Sequence, residues 1–124
     1  GYSGGGETMS LVMGMRPDLY TAYLQCSSQW DGAYEPVVQA KTPVYFVVGA
    51  HDEYYGSEPS EDAYNNLREL YQQEGLSDEE IDDLLVLDVK DDSYFSDQGV
   101  TNQHGQGGGL FVEDDVVMGW LLGK

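Results

Sequence analysis

The chain has few basic residues, a single cysteine and no long apolar run. Five Lys and Arg stand against 23 Asp and Glu, for a formal net charge of −18 at pH 7. A surface of that sign repels other polyanions, which excludes nucleic acid and anionic membranes as partners. The acidity reads as a solvated, soluble surface, with cation binding by clustered carboxylates as the alternative. Cys26 stands alone, so no internal disulfide and no cysteine-based metal site can form. It falls in an apolar, aromatic segment and reads as a buried structural thiol. One cysteine does not fix a compartment, and localisation stays open between cytoplasm and exterior. No run reaches the roughly 18 apolar residues of a membrane span. No signal peptide is visible, and no internal repeat.

What is present suits one small α/β domain over all 124 residues, with 40% hydrophobic and 12% aromatic residues for a core. Residues 7–16 predict a helix, with Met9, Val12 and Met13 at helical spacing and Pro17 as its stop. Residues 19–26 have strand propensity, and a polar loop carrying Trp30 follows at 27–35. The apolar run 43–48 predicts a parallel strand buried on both faces. After a loop at 49–59, a helix is expected over 61–74, capped by Ser60 and ended by Gly75. Ser77 and Glu80 form a capping box for a short helix to about residue 83. A third strand is expected at 84–89, a long glycine-bearing loop at 90–109, and a closing amphipathic helix at 110–122. Alternating strands and helices predict about three parallel strands flanked by helices.

The chain opens on Gly1-Tyr2-Ser3-Gly4-Gly5, the Gly-x-Ser-x-Gly pattern of a tight strand-to-helix turn that exposes a serine. Downstream, the apolar run ends in Gly49-Ala50-His51-Asp52, and His104 follows in the glycine-rich segment. Serine, carboxylate and histidine complement one another chemically. A serine hydroxyl attacks well only when a base takes its proton, an imidazole titrates near neutrality, and a carboxylate orients the imidazole. The residues alone leave Glu53 open as the acid and His51 as a competing histidine. Trp30, Tyr54 and Tyr55 suit a pocket lining or core packing equally well. Asp91 to Gly99 lacks the alternating ligands and closing glutamate of a calcium loop. A Gly-x-Ser-Gly-Gly run also occurs in chymotrypsin-like proteases, but there the serine follows its partners in the chain and the fold is all β.

The order Ser3, Asp52, His104, with the elbow and the 43–52 segment, resembles the C-terminal half of an α/β-hydrolase of the esterase, dienelactone-hydrolase or prolyl-oligopeptidase-like kind. That resemblance implies Ser3 as nucleophile, His104 as base, Asp52 as orienting acid and the Gly4 N–H as an oxyanion donor. Trp30 and Tyr54 would bind substrate. No metal or other cofactor is implied. The substrate would be a small-molecule ester, with a peptide as the alternative, and non-catalytic binding or structural modules share the pattern. The resemblance further implies a partial domain that begins at the elbow and lacks the strands preceding it. The exposed 19–26 edge would then invite homo-oligomerisation.

Overall fold

A computed structural model describes residues 1–124. Its centre is a parallel sheet of β1 (Tyr23–Cys26), β2 (Val44–Gly49) and β3 (Leu85–Lys90), in that spatial order. The parallel three-stranded arrangement expected from the sequence is the one formed. Val44 pairs with Tyr23 on one side and Leu85 on the other. The middle strand is buried along its whole length, which explains its continuous apolar run.

Strand pleating sends alternate residues to opposite faces. Val44 and Phe46 join Met13, Trp30, Val37, Leu67, Tyr71 and Ile81 in one core. Tyr45 and Val47 join Leu24, Cys26, Phe95, Phe111 and Val117 in the other. The first core is covered by α1 (Gly4–Met13), α2 (Glu35–Ala40), α3 (Glu58–Gln73) and α4 (Asp78–Leu84). The second is covered by α5 (Asp92–Ser96), α6 (Gln103–Glu113) and α7 (Asp115–Leu122). The result is a parallel sheet flanked by helices, consistent with the fold that the resemblance implies. No helix is long and apolar enough to cross a membrane.

Several boundaries differ from the sequence expectation. Helix α1 starts at Gly4 rather than residue 7, because the Ser3 carbonyl accepts from Gly6 N and Glu7 N and draws the glycines into the first turn. It ends at Met13, where Met15 N and Arg16 N both turn back onto Val12 O. Leu19 and Tyr20 lie outside β1 and are exposed; a single 3₁₀ turn at Pro17–Leu19 occupies that stretch. Helix α3 begins after Ser57, and Ser60 is buried within its first turn rather than capping it. Helix α2, with Pro36 in its first turn, adds to the expected elements. The capping box of Ser77 and Glu80 forms as expected.

The largest correction concerns 90–122. The expected loop contains α5 and the start of α6, and the expected closing helix is split in two. Asp114 ends α6 and caps α7, accepting from Val116 N at 2.9 Å and Val117 N at 3.2 Å. The glycines of α6 read as a loop because glycine disfavours helices by about 1 kcal/mol each. Close packing offsets that cost: a Cβ on Gly107 would lie 3.2 Å from the Phe111 ring, and one on Gly108 only 2.7 Å from Tyr2 Cδ2.

The β1 edge is partly occupied by the chain itself. Gly1 N donates to Leu24 O at 2.8 Å, Cys26 N to Gly1 O at 2.8 Å, and Ser3 N to Cys26 O at 3.1 Å. These bonds carry the chain alongside β1 and deliver Ser3 to the end of the strand, where α1 begins.

Candidate active site

Ser3 has φ 53° and ψ −124°, a conformation side chains adopt only at a cost of about 1–3 kcal/mol. Its backbone is held on every side. The N–H bonds Cys26 O, and the carbonyl accepts from Gly6 N, Glu7 N and the Ser28 hydroxyl, the last at 2.5 Å. Gly6 permits this approach, since a Cβ there would meet Ser28 Cβ at 2.6 Å. The Gly4 N–H follows at the head of α1 and donates to no group in the protein.

Asp52 lies just beyond β2, its side chain wholly buried. Its Oδ1 accepts from Tyr54 N at 2.9 Å and Tyr55 N at 2.8 Å. Its Oδ2 sits 2.9 Å from His104 Nδ1. The second residue of α6, His104, turns Nε2 to Ser3 Oγ at 3.0 Å. An ionised carboxylate can only accept, so this network assigns the proton to Nδ1 and leaves the Nε2 lone pair facing the hydroxyl.

Three tyrosines enclose the imidazole. Tyr2 and Tyr54 stack at centroid distances of 5.8 and 5.2 Å, and Tyr55 meets it edge-on at 5.5 Å. The Tyr2 hydroxyl donates to the His104 carbonyl and that of Tyr55 to the Glu7 carboxylate. Burial, with that bond to Glu7, pushes the Tyr55 phenol up to about 12.

The sequence candidates therefore divide. Ser3, Asp52 and His104 are brought into one hydrogen-bonded line, with Gly4 beside it and Tyr54, 74% exposed, on the imidazole. Trp30 is elsewhere: it is core, packed on Tyr23, Tyr34 and Phe46 at 5.9–6.1 Å. The Glu53 carboxylate does not meet the imidazole but accepts backbone N–H groups of α6, from Gln103 at 3.1 Å and His104 at 2.9 Å. These bonds, that from His104 foremost, hold its carboxyl below the usual glutamate range. His51 pairs with Asp92 at 2.7 Å on the surface. Sequence reasoning missed Tyr2, which stands inside the serine motif. Asn102 caps α6, accepting from Gly105 N at 2.8 Å.

Beside this line, Tyr2 and Gly105 border a groove of about 530 Å³ that runs over Leu24, Val112, Met118 and Leu121. No His, Cys, Asp and Glu side chains group so as to hold a metal ion.

No protein-family model matches this chain, and no curated protein does either. Among solved structures, a thermostable esterase is similar in fold, with a TM-score of 0.73 and 19% identity. The likeness covers 98% of this chain and 29% of the esterase, so the chain spans under a third of that protein's length.

Proposed function

We propose that the chain carries the acyl-transfer site of a serine hydrolase that acts on esters. The observation that carries this reading is the continuous line from Ser3 Oγ to His104 Nε2 at 3.0 Å and from His104 Nδ1 to Asp52 Oδ2 at 2.9 Å.

In this reading Ser3 Oγ attacks the ester carbonyl carbon while its proton passes to His104 Nε2. Asp52 holds the Nδ1–H tautomer and stabilises the imidazolium that forms. The unengaged Gly4 N–H, at the positive end of α1, donates to the developing oxyanion. His104 returns the proton to the departing alkoxide. It then takes a proton from water, whose oxygen attacks the acyl carbon, and passes that proton to Ser3 Oγ as the acyl–oxygen bond breaks and the acid product leaves. The strained turn at Ser3 supports the assignment, since such conformations persist where the surrounding structure over-determines them and concentrate at reactive sites.

The test is covalent. An alkyl fluorophosphonate should add one phosphonyl group to the folded chain, mapped to Ser3 by peptide mass, and Ser3→Ala should abolish it. A folded chain that takes up no label, or takes it elsewhere, removes the assignment.

A further inference from the structure

We infer that Glu53 is the positioning residue of this site: its carboxylate clasps the head of α6 and so sets the His104 ring against Asp52 and Ser3. The inference rests on the reading above for its consequence and on geometry for its content.

The adjacent carboxylates Asp52 and Glu53 grip the same residue from two directions. Asp52 holds the His104 ring at Nδ1, and Glu53 holds its backbone N–H. The second Glu53 oxygen takes the N–H of Gln103, so one carboxylate spans the first two free donors of the helix. The third, Gly105 N, goes to Asn102. The Gln103 side chain ties the same turn to its surroundings, accepting from His51 N at 3.0 Å and donating to Asp92 at 2.7 Å.

Helix α6 needs such a fix. It carries glycine at four of its eleven positions, which leaves its own backbone loosely restrained. A histidine in its first turn would inherit that freedom. Because Asp52 and Glu53 are consecutive, the acid and the clasp hang from adjacent residues and approach His104 together. The clasp adds to the packing of Tyr2 on the same ring. Misplacement of a catalytic group by about 1 Å can cost roughly a hundredfold in rate.

Two substitutions test the clasp. Glu53→Gln keeps the length but has one acceptor oxygen for two N–H donors, so one bond is lost and its NH₂ faces an N–H; Glu53→Asp keeps both oxygens and withdraws them by one methylene. Fluorophosphonate labelling of Ser3 should slow by about tenfold or more in both variants. The second readout does not need a reactive serine. The Nδ1 proton of His104, seen by NMR on a ¹⁵N-histidine sample, should persist in the parent and be lost to exchange in both Glu53 variants. Asn102→Ala, which removes the cap at Gly105 N and leaves both Glu53 bonds in place, should keep that proton. Parent-like labelling with a persistent proton in either Glu53 variant, or loss of the proton in Asn102→Ala, would overturn the inference. A parent whose Ser3 takes no label while the proton pattern holds would instead remove the proposed reaction and leave the clasp standing.

Discussion

A Cβ on Gly108 would stand 2.7 Å from Cδ2 of Tyr2, so helix α6 rests with its backbone against the ring next to Ser3. The same ring stacks on His104 and bonds its carbonyl, so it joins segments 102 residues apart at the site. Gly108→Ala should therefore lose stability. The gain from helix propensity is about 1 kcal/mol, while forcing atoms into a filled contact costs about 1–3 kcal/mol. Gly109→Ala is the counterpart, because nothing lies within 4 Å of its Cβ position. There the propensity term acts alone and should stabilise by roughly 0.5–1 kcal/mol. Urea unfolding of both variants checks the pair; two stabilised proteins would show that the Tyr2 contact is slack.

This pair also explains what was legible in the sequence. The strand at Val44–Gly49 could be read because burial on both faces demands apolar residues at every position. The Ser77 and Glu80 capping box could be read because its bonds are local. Helix α6 could not, because its glycines answer to Tyr2, Phe95 and Phe111, contacts the local sequence does not display. Trp30 was equally ambiguous: a tryptophan in a polar loop suits a pocket, and only the fold shows it turned inward onto Phe46. The polar line of the site was legible as residue types and order, but the roles of Tyr2 and Glu53 depend on the meeting of segments some fifty to a hundred residues apart.

Acid should weaken the Glu53 clasp. The N–H of His104, first among its partners, lowers this carboxyl below its unperturbed value of 4.5. A group depressed in the folded state contributes its stability above the unfolded value, and that contribution is lost as pH falls through the folded one. At pH 6–7 Glu53→Gln should melt slightly below the parent, and the gap should close below about pH 4. Thermal melts from pH 3 to 7 measure this. A gap that stays constant with pH would mean that the charge contributes nothing.

Cys26 should resist thiol reagents while the chain is folded. Burial, partly opposed by the nearby amino terminus, pushes its thiol up to about 11. The thiolate is the reactive form, and at pH 8 its population falls on the order of a hundredfold relative to an ordinary cysteine. Reaction with a disulfide reagent should be at least that much slower than for the chain in denaturant. Rapid native reaction would place Cys26 in open contact with solvent through the groove it borders.

Asp52→Asn should silence the site while sparing the fold, and the reason lies in the two backbone donors at Oδ1. Tyr54 N and Tyr55 N fix which end of an asparagine amide faces them, since only its carbonyl oxygen can accept. The NH₂ group must then face His104 Nδ1, where the carboxylate had accepted at 2.9 Å. Two donors cannot share that contact, so the imidazole moves its proton to Nε2. The lone pair now faces the amide, and the N–H faces Ser3. A histidine in that tautomer cannot take the serine proton, an error worth about 10⁴ in rate for a site of this kind. Fluorophosphonate labelling of Ser3 should fall by about 10³–10⁴, with circular dichroism unchanged because the side-chain volume is kept. The ¹⁵N shifts of His104 should exchange their assignment between Nδ1 and Nε2. Labelling within tenfold of the parent would show that Asp52 does not set the tautomer, and would remove it from the proposed reaction.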